Sequence, residues 1–292
     1  MLLKELIRKG EETVSVLYPE REAKEMVFAY MEAVLGIKRH THIVEPDYMV
    51  QPDRVDELLR DFERMASGEP LQYIVGKSWF YGREFRVTPD VLIPRPETEI
   101  LCDSVSAMAR GRRNLRVLDL CTGSGCIAWT LALELPGAEV MAVDISDGAL
   151  KVAASQDFME EMTRISAAAP TFLKADILNE LSDEHVSGLF DVIVSNPPYV
   201  MDSEKALMRP NVLEHEPHLA LFVPDSDPLL FYRAVASHAS HLLAENGFGM
   251  VEINEALGEE TADVFRQKGF DASVVKDLHD KDRFICFSRK TK

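Results

Sequence analysis

Through the first quarter of the chain, apolar residues recur at helical spacing. In P-D-R-V-D-E-L-L-R-D-F-E-R-M-A-S-G, Val55, Leu58, Leu59, Phe62 and Met65 fall on one face. Asp53 is placed to cap the start of that helix and Gly68 its end. A second stripe, Ala23, Met26, Val27, Tyr30, Met31 and Val34, runs from Glu22 to Val34. Residues 1–75 therefore read as a small helical bundle with its own core. The texture then changes to W-F-Y-G-R-E-F-R-V, aromatic and β-prone around a glycine, so residues 76–93 read as a hairpin linker. The prolines of V-L-I-P-R-P-E-T-E end the extended stretch, and a helix is expected to begin at Glu97 or Thr98.

From residue 94 to 292 a larger domain follows, in which short apolar runs alternate with helical periods. The expected strands are Leu115–Leu120, Glu139–Val143, Thr171–Lys174, Asp191–Val194 and Gly249–Ile253. Helices are expected over Ile127–Leu135, Gly148–Met162, Leu229–Ala244 and Glu259–Lys268, and an antiparallel hairpin closes the sequence. Such alternation implies an α/β fold with a doubly wound, mostly parallel sheet.

Composition narrows the class. The sequence is 46% hydrophobic and 28% charged, as in ordinary soluble globular proteins. No apolar run is long enough to span a bilayer, and M-L-L-K-E-L-I-R-K-G meets charges too early for a secretory signal. No membrane association and a cytoplasmic location are expected. Cys102, Cys121, Cys126 and Cys286 form no C-x-x-C pair and no zinc-like cluster, so reduced thiols and no metal are expected. A net charge of −17 weighs against a direct nucleic-acid substrate, because backbone phosphates demand clustered cations.

Candidate chemistry sits at strand ends, where open α/β sheets bind ligands. In V-L-D-L-C-T-G-S-G-C-I-A, Gly123 and Gly125 let backbone approach a ligand ahead of a helix N-terminus. Cys121, Thr122 and Ser124 complete that loop, and Asp119 is placed to receive an ammonium. Asp144, ending the next strand, suits ribose hydroxyls. Asp176 and Ile177 follow the third strand, where an adenine would lie; a simple turn cap accounts for Asp176 equally well. These features fit a nicotinamide dinucleotide and S-adenosyl-L-methionine alike.

The fourth strand discriminates. D-V-I-V-S-N-P-P-Y-V runs into Asn196, Pro197, Pro198 and Tyr199, and two prolines stop the ladder. A planar N–H₂ group has a delocalised, weakly nucleophilic nitrogen. Two acceptors, the Asn196 side-chain oxygen and the Pro197 carbonyl, would hold its hydrogens and aim the nitrogen, while Tyr199 offers a flat face. Catalysis then rests on positioning rather than on a strong base. The site reads as methyl transfer to a planar nitrogen.

These residues resemble the amino methyltransferases that carry N-P-P-Y after the fourth strand of a class I S-adenosylmethionine fold. The segments Gly68-Glu69-Pro70-Leu71-Gln72-Tyr73-Ile74, Val91-Leu92-Ile93-Pro94-Arg95-Pro96-Glu97-Thr98-Glu99 and Glu216-Pro217-His218-Leu219-Ala220-Leu221 are similar to the bacterial HemK/PrmC family. That resemblance implies a seven-stranded sheet with a terminal antiparallel hairpin behind the helical N-terminal domain. It implies S-adenosyl-L-methionine as cofactor, with S-adenosyl-L-homocysteine as product, and the glutamine of the Gly-Gly-Gln loop of peptide-chain release factors as acceptor. The loop from Cys121 to Gly125, Asp144 and the backbone around Ile177 are then cofactor contacts. Asn196 to Tyr199 hold the substrate glutamine, with Asn196 also near the methyl donor. The first domain engages the release factor, and the chain acts as a monomer. Cys121 stands where family members often have glycine, and Ile177 where some have an aromatic. P-R-P-E-T-E, in place of P-R-S-P, favours a release factor over a large-subunit ribosomal protein. A nucleic-acid amino methyltransferase shares Asn-Pro-Pro-Tyr and is the other alternative.

Overall fold

The computed structural model describes residues 1–181 and 186–290. They form two compact units. The first comprises Met1–Lys77 together with Met208–Glu216, and the second Ser78–Leu207 together with Pro217–Lys292.

The first unit contains helices α1 (Leu3–Val14), α2 (Glu20–Leu35), α3 (Thr41–Val44), α4 (Pro52–Ala66) and α5 (Leu71–Val75). Leu6, Val27, Tyr30, Met31, Leu58, Phe62 and Met65 form its core, each fully buried. Pro52, not Asp53, sets the start of α4: it occupies the first helical turn, where its missing N–H costs nothing, and no side chain caps that N-terminus.

The second unit opens with the hairpin β1 (Lys77–Phe80) and β2 (Arg83–Arg86), turned by Gly82 at φ +71°. Helix α6 (Pro96–Met108) begins at Pro96, one or two residues earlier than the sequence expectation, so Thr98 lies inside its first turn. Then follow β3 (Arg116–Leu120), α7 (Cys126–Glu134), β4 (Glu139–Asp144), α8 (Asp147–Ala154), α9 (Met159–Ile165), β5 (Thr171–Lys174), β6 (Phe190–Ser195) and β7 (Val200–Met201). The helix Pro210–His215 (α10) belongs to the first unit. The chain continues with β8 (Phe222–Val223), α11 (Leu230–Leu242), β9 (Leu243–Glu252), α12 (Gly258–Gln267), β10 (Phe270–Lys276) and β11 (Asp282–Arg289).

Seven strands make one sheet in the order β10-β11-β9-β6-β3-β4-β5, with β11 antiparallel to both neighbours and the remaining pairs parallel. Alternate side chains enter two cores. Val117, Val140, Ala142, Val192 and Val194 face one, with Leu101, Val105 and Leu131. Leu118, Leu120, Val143, Ile193 and Val251 face the other, with Val235, Ala239 and Phe265.

One expected helix is broken. Gly148–Met162 splits into α8 and α9 because Gln156 is claimed by other backbone. Its Nε2 donates to the carbonyls of Arg86 (2.9 Å) and Ser124 (3.1 Å), and its Oε1 accepts from the Arg86 N–H (2.8 Å). Phe158, next to the break, packs against Phe85 and Trp129. No described helix is long and apolar enough to cross a membrane.

Candidate active site

Strand order reverses about β3, whose neighbours are β4 and β6, and the carboxyl ends of these strands open a cleft. Parallel register places Leu120 beside Ser195, whose hydroxyl donates to the Leu120 carbonyl at 2.6 Å. The cleft encloses about 1120 Å³, including its open mouth.

The loop after β3 is tightly wound. Cys121, Gly123 and Gly125 have φ of +62°, +56° and +79°. A side chain at Gly125 would press on Ala153 and Trp129, whereas one at Gly123 would meet no protein atom within 4 Å, leaving ligand space there. Thr122 N–H donates to the Val143 carbonyl at 3.0 Å, tying the loop to β4. The Asp144 carboxylate accepts the Gly123 N–H at 2.8 Å on one oxygen and the Ser146 N–H at 2.9 Å on the other. Burial raises the Asp144 carboxyl above its ordinary range, and those N–H groups oppose the shift.

Asp119 is fully buried. One oxygen accepts the Thr122 hydroxyl at 2.6 Å, and the other, Oδ1, has no partner. Burial pushes this carboxyl up to about 7, with the Asp144 charge adding to the effect. A buried acceptor without a donor is costly, and Asp119 itself is not among the residues that line the cleft.

The Asp176 oxygens accept from Leu178 N–H (2.9 Å) and Asn179 Nδ2 (2.8 Å), which is the turn-capping role the sequence left open. Both Asp176 and Ile177 line the cleft all the same. His238 Nε2 lies 2.7 Å from the Ile177 carbonyl and fixes that backbone.

At the end of β6, Asn196 and Pro198 line the cleft; Pro197 and Tyr199 do not. Asn196 Nδ2 donates to Thr98 Oγ1 (3.2 Å), and Thr98 donates onward to Glu252 Oε2 (2.7 Å). Tyr199 donates its hydroxyl to Glu252 Oε1 (3.0 Å), and the Tyr199 carbonyl accepts Asn254 Nδ2 (3.2 Å). Burial raises the Glu252 carboxyl, while the Thr98 and Tyr199 hydroxyls and nearby Arg283 pull it down. Sequence reasoning missed Thr98, Glu252 and Asn254. For Glu252 and Asn254 the signal is the run M-V-E-I-N, which puts a carboxylate and an amide at the end of an apolar strand. It also missed Asp90–Leu92, Pro94, Arg95, Ile145 and Phe231 on the cleft wall. Burial pushes the Cys121 thiol well above its ordinary range, so it is no nucleophile. Among the described residues no cluster of His, Cys, Asp or Glu could hold a metal.

A glycine loop facing a ribose-type carboxylate, with Asn-Pro-Pro-Tyr at the end of the adjacent strand β6 on a β10-β11-β9-β6-β3-β4-β5 sheet, defines the class I S-adenosylmethionine-dependent methyltransferase fold. Residues 97–216 match the Methyltransferase small domain family and residues 5–76 the PrmC N-terminal domain family. The chain is 37% identical over 289 residues to a release factor glutamine methyltransferase of Flavobacterium psychrophilum, covering 98% of each chain. It is 40% identical over 274 residues to that of Bacteroides thetaiotaomicron, covering 94% of this chain and 95% of the relative. Among solved structures, the hMettl16 catalytic domain in complex with MAT2A 3'UTR hairpin 6 shares the fold alone: TM-score 0.54, 15% identity, 71% of this chain and 76% of that one. The chain belongs to the release factor glutamine methyltransferase family.

Proposed function

We propose that this chain transfers a methyl group from S-adenosyl-L-methionine to the side-chain amide nitrogen of the glutamine in the Gly-Gly-Gln loop of peptide-chain release factors. The family membership supports this reading. The observation that carries it is the Asn196 amide: its Nδ2 is engaged by Thr98, so Oδ1 is the arm left to accept from a substrate N–H₂ at the cleft.

The cofactor supplies an electrophilic methyl on a sulfonium. The chain's own residues do the rest. Asp144 takes the ribose hydroxyls on the lone pairs its two backbone donors leave free. Asp119, off the cleft wall with its Oδ1 unpartnered in the folded chain, takes the methionine ammonium directly or through a water. Gly123 leaves room beside the loop, Cys121, Thr122, Ser124 and Gly125 shape it, and Ile177 packs on adenine with Asp176 at its edge. Asn196 Oδ1 takes one amide hydrogen, Pro198 forms the wall and Tyr199 braces the loop. The Pro197 carbonyl, off the cleft wall in the ligand-free chain, takes the second hydrogen once the substrate is seated. Pinning both hydrogens orients the weakly nucleophilic nitrogen, and the methylated amide gives its proton to water.

In this reading the N-terminal helical domain, residues 1–75, engages the release factor, the hairpin at 76–93 links it, and residues 94–292 carry the chemistry. The protein acts as a monomer in the cytoplasm, and the net charge of −17 favours a protein over a nucleic-acid substrate. The test offers labelled S-adenosyl-L-methionine with release factor, ribosomes and DNA in parallel. Label on the release factor, with its Gly-Gly-Gln peptide one methyl heavier by mass spectrometry, is the expected result. Label on ribosomes or DNA instead overturns the assignment.

A further inference from the structure

We infer that Glu252, which lies off the cleft wall, determines which way the Asn196 amide faces, acting through Thr98. The inference deepens the proposed function and rests on it for its catalytic consequence. Glu252 is buried at the end of β9, beside the strand that carries Asn196. As a carboxylate it can only accept. It accepts from Thr98 at 2.7 Å and from Tyr199 at 3.0 Å, one hydroxyl on each oxygen. A threonine hydroxyl has a single proton. With that proton given to Glu252, Thr98 Oγ1 is restricted to accepting, and the neighbour it meets at 3.2 Å must present a donor. Asn196 therefore turns its NH₂ to Thr98 and keeps its oxygen for the cleft.

The reverse orientation would set two oxygens without a proton against each other on the Thr98 side. On the cleft side it would aim an NH₂ at the substrate's own NH₂. Such a donor–donor contact loses the bond that aims the nucleophile. Glu252 thus converts an amide with two nearly isosteric orientations into a single acceptor. Through Tyr199 it also braces the same loop, whose backbone Asn254 holds from the Tyr199 carbonyl. Thr98 and Glu252 are positioning residues: Glu252 acts wholly through its neighbours.

The experiment uses the full chain as Glu252→Met, Thr98→Val and Thr98→Ser. Methionine keeps the length and removes both acceptors, and valine keeps the shape of threonine without its hydroxyl. Both are expected to lower kcat for release-factor methylation about ten- to hundred-fold. Cofactor Kd should move far less than kcat, because the Cys121–Gly125 loop, Asp144 and Ile177 are left untouched. Thr98→Ser, which restores the hydroxyl, is expected to recover most of the loss seen in Thr98→Val. In parallel, NMR follows the Asn196 side-chain NH₂. Its exchange with solvent should be slow in the wild type and in Thr98→Ser, and fast in Thr98→Val and Glu252→Met. Thr98→Val cuts the same chain of bonds, so failure of Glu252→Met to fold leaves the test intact. Wild-type kcat in Thr98→Val, or unmoved Asn196 signals in either variant, overturns the inference. A wild type that leaves release factors unmethylated defeats the proposed function instead, and the NMR arm still decides the orientation.

Discussion

Asp144→Asn separates the charge at the end of β4 from the shape it occupies. In the folded chain its oxygens accept Gly123 N–H at 2.8 Å and Ser146 N–H at 2.9 Å. Asparagine keeps one acceptor and turns an NH₂ toward the other N–H, so one backbone bond is lost. Toward a bound nucleoside, the same change weakens one or two charge-assisted bonds to ribose hydroxyls. At about 1.5–3 kcal/mol for a bond to a charged group, partial loss of two comes to about 2–4 kcal/mol. That is roughly 30- to 1000-fold in Kd. Stability should move far less. Burial raises the Asp144 carboxyl, so the fold disfavours its ionised form relative to the unfolded chain. A carboxyl raised in this way contributes stability below its unfolded pKa and loses it as pH rises through the folded one. At neutral pH, removing the charge relieves that penalty and offsets the lost N–H bond, leaving a net change within about 2 kcal/mol. Titration calorimetry with S-adenosyl-L-homocysteine, beside a thermal melt of the same sample, measures both. Wild-type affinity should also weaken as pH falls and Asp144 takes up a proton, a trend absent in the variant. A Kd within about threefold of wild type, or an affinity loss that tracks a collapse in Tm, would refute the reasoning.

Asn196→Ala removes the acceptor of the amide clamp and should cost about 1–3 kcal/mol, or roughly ten- to hundred-fold in kcat, with cofactor affinity nearly unchanged; steady-state kinetics checks it. Asp119, held near 7 by burial, must ionise to receive an ammonium, so cofactor binding around neutral pH should release protons. Calorimetry in buffers of different ionisation enthalpy measures that release, and Asp119→Asn should abolish it. Between its unfolded pKa and 7 the same group makes the ligand-free protein less stable as pH rises, a slope that Asp119→Asn should flatten. Gln156→Ala deletes three bonds to backbone and should lower stability by about 2–4 kcal/mol, read by denaturant unfolding with Trp129 fluorescence.

Periodicity exposed the strands of the large sheet because their alternating faces fill two cores. It failed at Gln156, where an apolar pattern suited to one long helix is overruled by three bonds to Arg86 and Ser124. No window of local sequence contains those partners. The same reason explains the candidate site. Gly123, Asp144 and Asn196 stand next to strand ends and announce themselves by residue type. Thr98, Glu252 and Asn254 act across 53 to 154 residues of chain: the register of β6 with β9 brings Glu252 and Asn254 to Tyr199, and Thr98 comes in from α6 to meet Asn196. The small parallel sheet of β7 and β8 escaped notice too, since two-residue strands carry no period.

β11 is made last of the seven strands yet inserts between β9 and β10. During synthesis, Phe248–Glu252 must therefore wait with one edge unpaired until Phe284–Ser288 have emerged. A nascent or truncated chain ending before residue 282 would present an apolar ribbon open to pairing with other chains. It would also lack the cover over Glu252, so catalytic competence and protection from aggregation should arrive together, at the final stage of translation.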